Sequence, residues 1–226
     1  MSYSFPTTIL DEFKDADVYV KIGGGGFSEG VDFTDDTGDN ISQYNAYLND
    51  FTNLYWIRSN YEKIGNPEYI GHDHYRRVLR YNRYALRPDM IQCKVEEGDL
   101  TIYEYYVKYH VKGDIDLFMS EFSKEFPQLS GPLGEFMSQK TNYPCEIFVM
   151  HRDLFFEYMD FLKKCIGICL RIFSAEDLEK RDKYQKRAPG FIMERMTSFW
   201  IYMKKTAGGV KVIDTMIDVY KLPSPY

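Results

Sequence analysis

Cysteines, long apolar runs and excess basic charge are all scarce in this sequence, and each shortage excludes a class of protein. The 226 residues include only four cysteines, without the spacing of a zinc site, which indicates a reduced, cytoplasmic protein. No stretch approaches the ~20 apolar residues of a transmembrane helix. Residues 1–11 contain no Lys or Arg and no long apolar run, so we also expect no signal peptide. A net charge of −6 argues against a general nucleic-acid binder, which needs a basic face for phosphates.

Common nucleotide and cation signatures are missing as well. The glycine run at residues 23–26 lacks the G-x-G-x-x-G spacing and the Lys-Ser/Thr pair of a phosphate-binding loop. It is therefore either a phosphate cradle of another kind or a mobile linker. The acidic loop at residues 35–40 has no Glu at the twelfth position and no entering helix, so it does not fit an EF-hand. It is either a solvated turn or a set of carboxylates that bind a ribose or a base edge.

The composition is that of a protein with a full core. Hydrophobic residues make up 44% of the chain and charged residues 27%, as in ordinary globular proteins. The aromatic share of 17%, with 20 Tyr, is high, and we expect most rings to pack and a minority to stack on a sugar or base. We predict one domain over residues 1–226, with a core at about 18–204 and a C-terminal extension or linker at 205–226.

The order of apolar patterns predicts an α/β protein with a mixed sheet flanked by helices. A strand at residues 18–22, a helix at 44–61 and a strand that begins at 69–70 form an expected βαβ unit. Its polar loops gather at the strand ends, where open α/β sheets bind ligands. Further strands are expected at residues 90–95 and 143–150, and further helices at 102–110, 114–126, 154–173 and from 190 onward.

Residues 69–77 are the most informative segment. An apolar strand stops at Gly71, and behind it stand His72, Asp73, His74, Tyr75, Arg76 and Arg77. Metal-ligand side chains followed by two arginines are what a site for a divalent cation and a diphosphate needs. Strand alternation would put the two histidines on one face and the Asp on the other, unless the strand ends at the glycine. The plainer alternative is a core histidine, an Asp that caps a helix and a solvated cationic edge.

Several strings along the chain together resemble one family. They are residues 36–42 (Asp-Thr-Gly-Asp-Asn-Ile-Ser), 54–56, 69–71 with 74–77 (His-Tyr-Arg-Arg), 184–187, 190–191 and 194–195. These strings resemble the small glycosyltransferases of bacterial capsule and exopolysaccharide clusters, long filed as a domain of unknown function and with relatives in large algal viruses. The similarity covers residues 18–202. It implies a three-layer fold of the GT-A type, a nucleotide-sugar donor, a glycan acceptor and a hexosyl transfer that depends on Mn²⁺ or Mg²⁺, in the host cytoplasm if the protein is viral.

The resemblance also implies roles for the residues that follow Gly71. Asp73 stands where such folds place the last carboxylate of their D-x-D metal motif, and His74 would assist it as a metal ligand or orienter. The guanidinium groups of Arg76 and Arg77 would bind the diphosphate, with Tyr75 packed at the strand end. The chain departs from the family's pattern twice. Position 71 is Gly instead of the first acid of D-x-D, and the usual opening strand, which ends in Thr-His-Lys, is not evident in residues 1–13.

The nucleoside and phosphates of the donor are expected on the loops that precede residue 44. The residues assigned to them are Gly23, Gly24, Asp35, Asp36, Asp39 and Asn40. A UDP-linked donor is preferred by analogy with other metal-dependent enzymes of this fold.

Glu146 and Glu194 are the candidates for a catalytic base. Two other functions stay open from the residues alone. One is a metal-dependent phosphohydrolase, for which the four histidines of the chain offer few ligands. The other is a non-catalytic module that binds a nucleotide or a glycan.

Overall fold

The computed structural model describes residues 2–3, 18–74 and 76–220. The predicted contact of Tyr75 lies outside the described residues, and so does most of the segment 1–13.

Eleven strands are present in the described part of the chain. They are β1 (Ser2–Tyr3), β2 (Ile22–Gly23), β3 (Phe33–Thr34), β4 (Tyr69–His72), β5 (Arg77–Leu79), β6 (Met90–Cys93), β7 (Glu96–Glu97), β8 (Thr141–Asn142), β9 (Phe148–His151), β10 (Lys211–Asp214) and β11 (Ile217–Val219). The α-helices are α1 (Asn45–Leu48), α2 (Phe51–Ser59), α3 (Ile102–Tyr109), α4 (Lys112–Glu125), α5 (Ser130–Met137), α6 (Arg152–Ile172), α7 (Ala175–Glu179) and α8 (Ala188–Thr206).

A four-stranded sheet in the order β10-β6-β9-β4 lies at the centre. Strand β6 runs parallel to β10 and antiparallel to β9, and β9 runs antiparallel to β4. The sheet is therefore mixed, and helices pack on it, which confirms the predicted α/β class.

Strand β9 shows how the sequence builds two layers on this sheet. Its side chains alternate: Phe148 and Met150 belong to the main core, whereas Val149 belongs to a smaller cluster with Leu79 and Ile147. Alternation follows from the two-residue period of a strand, which sends neighbouring side chains to opposite faces. Helices thus cover one face of the central sheet. The small cluster that contains Leu79 of β5 covers the other face.

The long helices α6 and α8 form the helical layer. In α6 the fully buried residues Phe155, Tyr158, Leu162 and Cys165 recur at the three- and four-residue spacing of one helix face. Burying each large apolar side chain contributes about 1.5–3 kcal/mol. The aromatic content of the chain is used here, since Phe148 and Trp200 both contact Tyr158.

The expected helix at residues 44–61 is interrupted. It divides into α1 and α2 at Asn49, whose backbone has φ 53° and ψ −136°. Strand β2 pairs with β1 and β3, whereas β4 pairs with β9, so among the described residues β2 and β4 are not neighbours in a ladder. The expected strand at 18–22 is reduced to the two residues of β2.

Strand β10, from the segment predicted as an extension, forms an edge of the central sheet. The division of the chain into one domain with an extension stays a prediction. Within the described ranges, no helix combines the length and the apolar character that a bilayer crossing requires.

Candidate metal centre and its surroundings

Three side chains from distant parts of the chain converge at the end of β4. The Nε2 atom of His74 lies 2.9 Å from Oε1 of Glu146 and 3.5 Å from Oδ2 of Asp50. The three ligand atoms all lie within 4.8 Å of one another. We call Asp50, His74 and Glu146 the acid–histidine cluster.

Strand register brings two of these residues together. Strands β4 and β9 are antiparallel, with His72 opposite Phe148. His74 stands two positions after His72 and Glu146 two positions before Phe148, so both lie just past the same end of the paired strands. Antiparallel pairing therefore places them across from each other, although they are far apart in sequence.

Residues with a positive φ lie at or directly beside the two acids of the cluster, Asp50 and Glu146. Among the described non-glycine residues, a positive φ occurs at Asn49 (53°), Asn66 (51°), Cys145 (69°) and Glu146 (42°). Three of these four positions are in the cluster or directly beside it. A side chain in this conformation costs on the order of 1–3 kcal/mol, and such residues concentrate at functional sites. Strain at or beside the two acids therefore marks the cluster as a candidate functional site.

The electrostatics of the cluster are those of a buried charged group. Burial raises the pKa of Glu146 to about 7, against the lowering effect of His74, while Glu194 and Asp50 raise it further. Burial alone would lower the pKa of His74, but the charges of Glu146 and Asp50 outweigh it and raise the pKa to about 9. Two carboxylates at this spacing require a positive charge between them, supplied by a proton on His74 or by a cation.

The donor atoms fit a divalent cation. His74 Nε2 and Glu146 Oε2 are buried and make no aligned hydrogen bond within the described residues, although Nε2 lies close to the other carboxylate oxygen. Buried polar atoms without partners need an explanation, and lone pairs that face a common centre supply one. One imidazole nitrogen and two carboxylates make up a set typical of Mn²⁺ and similar ions. The cluster could therefore hold a metal ion.

His72 holds the backbone of Glu146 in place through a buried hydrogen bond. It is buried, and its Nδ1 lies 2.9 Å from the backbone carbonyl oxygen of Glu146. Burial and the neighbouring His74 lower its pKa well below the ordinary value, so the ring is neutral and Nδ1 donates a hydrogen bond. The His72 side chain thus fixes the strained turn that carries Glu146.

Asp73 points away from the acid–histidine cluster, as strand alternation predicts. It is buried, and its Oδ2 accepts a hydrogen bond from the Tyr19 hydroxyl at 2.8 Å. Its Oδ1 accepts one from the Leu79 backbone N–H at 3.0 Å. Burial raises the pKa of Asp73, while these hydrogen bonds lower it. Its role as a metal ligand stays a prediction, as does that of His74.

The two arginines differ in their surroundings. Arg77 is half-buried, and its backbone exchanges two hydrogen bonds of 3.1 Å with His74. Burial raises the pKa of Cys145, and the carboxylates of Glu146 and Asp50 raise that of His74 against its burial; the positive charge of Arg77 opposes both rises, so it acts on the edge of the cluster. Arg76 is exposed. Diphosphate binding by either arginine stays a prediction.

Helix α8 closes the other side of the cluster. Glu194 contacts Nη1 of Arg195 at 3.0 Å, and its charge raises the pKa of Glu146. The start of the helix holds the turn at Asn49, because Arg187 Nε donates to Asn49 Oδ1 at 2.7 Å. A catalytic role for Glu194 stays a prediction.

Sequence reasoning missed Asp50 and Arg187. Asp50 lay within an expected helix, yet Asn49 and Asp50 are turn-forming residues in the middle of an apolar pattern. The Asn-Asp pair therefore indicates a break in the helix. This break places the Asp50 carboxylate near His74.

The acidic loop is organised around Asp35, which is fully buried. Its Oδ1 accepts hydrogen bonds from Ser42 Oγ at 2.7 Å and Gly26 N–H at 3.1 Å, and its Oδ2 accepts one from Thr52 Oγ1 at 2.5 Å. Asp35 therefore ties the loop to the glycine turn and to α2. Direct contact between Asp35 and a nucleoside stays a prediction.

The remaining acidic-loop residues are more accessible. Asp36 and Asp39 are exposed; Asp36 accepts from Thr34 Oγ1 at 2.5 Å, and Asp39 lies 3.5 Å from the Tyr55 hydroxyl. Asn40 donates to the carbonyl of Gly38 at 2.9 Å, which shapes the turn locally. The two aspartates are thus the acidic side chains of the loop that a ligand can reach.

The glycine run is held by close packing. A Cβ on Gly23 would lie 1.6 Å from the carbonyl oxygen of Phe27, and one on Gly24 would lie 2.8 Å from Asn45 Nδ2. Residues Gly24–Gly26 form a 3-10 turn, with φ of 64° at Gly25 and 77° at Gly26. These contacts explain why glycines stand here, while a phosphate role for Gly23 and Gly24 stays a prediction.

A mixed sheet with a partly buried acid–histidine cluster at the strand ends defines this chain as an α/β protein with a candidate metal site. The chain belongs to the family described as a domain of unknown function, DUF4422, whose model matches residues 12–99 and 83–205. No curated protein matches it.

The chain also shares its fold with a solved structure, the apo form of the bifunctional glycosyltransferase WbbM. The TM-score is 0.80 at 21% sequence identity, and the alignment covers 98% of this chain and 45% of that one. The chain thus spans less than half the length of that protein. At this identity the likeness shows the fold, which confirms the α/β architecture predicted from the sequence.

Proposed function

We propose that this protein is a glycosyltransferase that moves a sugar from a UDP-linked donor to a glycan acceptor with the help of a divalent cation. The observation that carries the proposal is the acid–histidine cluster, buried at the strand ends of a fold shared with a glycosyltransferase. A role in the synthesis of capsule-like polysaccharides, in the cytoplasm, completes the proposal. The four free cysteines, of which three are buried, agree with a reducing compartment.

Asp50, His74 and Glu146 would hold Mn²⁺, or Mg²⁺, whose positive charge stabilises a diphosphate leaving group. His74 must be neutral to present its nitrogen lone pair, and both carboxylates must be ionised. Arg77, at the edge of the cluster, adds a fixed positive charge for the same diphosphate. Arg76, the exposed neighbour, is assigned to the outer phosphate oxygens.

The positions of the remaining side chains suggest the nucleoside ligands, the catalytic base and an alternative metal ligand. Asp36 and Asp39 would accept hydrogen bonds from the nucleoside, since they are the exposed carboxylates of the loop that Asp35 anchors. Of the two candidate bases, Glu194 suits the role better, because Glu146 is taken up by the cation. Asp73 is the alternative ligand, and its two hydrogen bonds leave further lone pairs available.

A thermal-shift experiment tests the proposal on the wild-type chain. We expect Mn²⁺ to raise the melting temperature, and UDP to raise it further only when Mn²⁺ is present. At a ligand concentration 100 times the dissociation constant the added stability is about 2.7 kcal/mol. Stabilisation by metal alone, with no further effect of UDP, would instead favour a metal-dependent hydrolase. Stabilisation by a free glycan alone would favour a non-catalytic binding module.

The contact between α8 and the Asn49 turn offers a second test. A Cβ on Gly190 would lie 2.4 Å from Asn49 Nδ2 and 3.0 Å from the Tyr47 carbonyl oxygen. We expect Gly190→Ala to displace the Asn49 turn and to weaken Mn²⁺ binding by about 10- to 100-fold, as when support for a metal ligand is lost. Isothermal titration calorimetry measures this affinity.

Gly134→Ala is the matched control. Gly134 lies in α5 with open space around its Cβ position. Alanine there should stabilise the protein by about 0.5–1 kcal/mol and leave the Mn²⁺ affinity unchanged. Equal Mn²⁺ affinities in the two variants would show that the contact between α8 and the Asn49 turn does not support the metal site.

A further inference from the structure

A stack of aromatic rings lies at the end of α3, against the start of α8. The ring of His110 packs on Phe191, at 4.1 Å between centroids, and on Tyr184, at 5.4 Å, while Tyr184 and Phe191 are themselves 4.8 Å apart, so the three rings form a triangle. The planes of His110 and Tyr184 are inclined by only 19°. Tyr184 is 49% exposed, so the outer ring of this stack is open to solvent. It offers a flat apolar face at the protein surface.

Three polar atoms around this stack are buried without a hydrogen-bond partner in the described part of the chain. They are the Tyr106 hydroxyl, His110 Nδ1 and Gln185 Oε1. Tyr106 is completely buried and its ring lies 4.7 Å from that of His110, while Gln185 follows Tyr184 directly. An unpaired buried polar group costs about 1–3 kcal/mol, so the unpaired atoms of His110 and Gln185, both beside the half-exposed Tyr184, indicate that a ligand supplies the missing partners.

The chemistry of these atoms selects the ligand. The Gln185 amide is oriented by its Nε2, which donates to the Tyr109 carbonyl at 3.0 Å, so its Oε1 can only accept. Burial, helped by the charge of Arg195, lowers the pKa of His110 to about 4, which leaves the ring neutral at pH 7. Arg195 is already engaged by Glu194 and by the Phe191 carbonyl. The neighbourhood thus suits a neutral ligand with several hydroxyl groups and one apolar face.

The stack also lies close to the proposed reaction site. Phe191 and Glu194 are three residues apart on α8 and therefore share a face of that helix. Burial raises the pKa of both Glu146 and Tyr184, and the charge of Glu194 raises each of them further. The Glu194 charge therefore acts on the aromatic stack as well as on the acid–histidine cluster.

We propose that Tyr184, His110 and Gln185 form a subsite for one neutral sugar ring of the acceptor glycan. The ring packs on Tyr184, and its hydroxyl groups bond to His110 Nδ1 and Gln185 Oε1. This assignment rests on the proposed transferase function, because that function is what requires an acceptor beside Glu194.

Saturation-transfer NMR tests the subsite with methyl glycosides of glucose, galactose, mannose and rhamnose. We expect at least one of them to receive saturation from the wild-type protein in the presence of Mn²⁺ and UDP. Tyr184→Ala should weaken that binding by about 2- to 13-fold, since it removes a stacking face worth on the order of 0.5–1.5 kcal/mol. Gln185→Leu and His110→Phe, which keep the packing and remove one polar atom each, should weaken it as well. Tyr84→Ala, at a tyrosine that is 86% exposed in another part of the chain, is the control and should have no effect.

Three outcomes would overturn the subsite. The first is no saturation transfer to any of the glycosides, and the second is an equal loss in the Tyr84 control. The third is displacement of the bound glycoside by UDP-glucose, UDP-galactose or uridine, which would assign the stack to the donor. The thermal shift with Mn²⁺ and UDP is measured on the same samples. Its presence without glycoside binding contradicts the subsite alone, whereas its absence contradicts the transferase proposal.

Discussion

Replacement of Glu146 by Gln is expected to lower Mn²⁺-dependent hydrolysis of UDP-glucose and UDP-galactose by on the order of 100-fold or more. The neutral amide removes one negative charge and one ligand oxygen from the acid–histidine cluster, and a bound cation contributes several kcal/mol of charge stabilisation in such reactions. The substitution keeps the size of the side chain, so the β4–β9 register and the His72 hydrogen bond to the Glu146 backbone should persist. Release of UDP at several Mn²⁺ concentrations measures the effect.

Two further variants complete this experiment. Glu62→Gln, at an exposed glutamate, is the matched control and should retain full activity. Asp73→Asn compares the acid–histidine cluster with the ligand that the family resemblance implies. Loss of the Mn²⁺ response in Asp73→Asn but not in Glu146→Gln would show that the cation binds at Asp73. In that case a proton on His74, and not a metal ion, balances the carboxylates of Asp50 and Glu146.

Asp35→Asn is expected to lower the free energy of unfolding by about 2–4 kcal/mol. The carboxylate is fully buried and accepts three hydrogen bonds, from Ser42, Thr52 and the Gly26 backbone. A hydrogen bond to a charged acceptor contributes about 1.5–3 kcal/mol, and an amide nitrogen cannot accept. Whichever way the amide is oriented, at least one donor loses its acceptor. Urea unfolding, with the denaturant slope compared between variants, measures the change.

Asp36→Asn serves as the neighbouring control for stability. Asp36 is exposed, and substitutions at exposed positions usually change stability by less than about 0.5 kcal/mol. A loss at Asp35 no larger than the loss at Asp36 would contradict the anchoring role of Asp35. That result would favour the role that the sequence predicted for Asp35, a contact with the nucleoside.

Local patterns predicted much of the fold because they depend on neighbours in sequence. The helical spacing of Phe155, Tyr158 and Leu162 placed α6 within two residues of its observed bounds. The apolar run before Gly71 predicted β4, and Gly71 itself lies within the strand, which ends one residue later at His72. The segment that follows β4 contributes His74 to the cluster, while its functional role stays a prediction.

The long helix expected at residues 44–61 shows where local pattern was insufficient. Its apolar spacing is real, but Asn49 takes a positive φ of 53° with ψ −136°, which splits the helix. Packing against α8 decides this, through Arg187 and through the close approach of Gly190. A contact between residues that are more than 130 positions apart leaves no trace in the local pattern.

The sequence by itself determined which chemistry this chain carries: an acidic loop, a glycine turn, and a strand that ends in histidine, aspartate and arginine. Only the tertiary structure decided which of these groups meet. His74 meets Glu146 because an antiparallel register aligns them, and it meets Asp50 because a helix breaks beside them. Asp73 and Asp35, which look equally available in sequence, are turned into the protein and hydrogen-bonded there. The physical reason is that side-chain type is a property of one residue, whereas convergence depends on strand pairing and helix packing between distant residues.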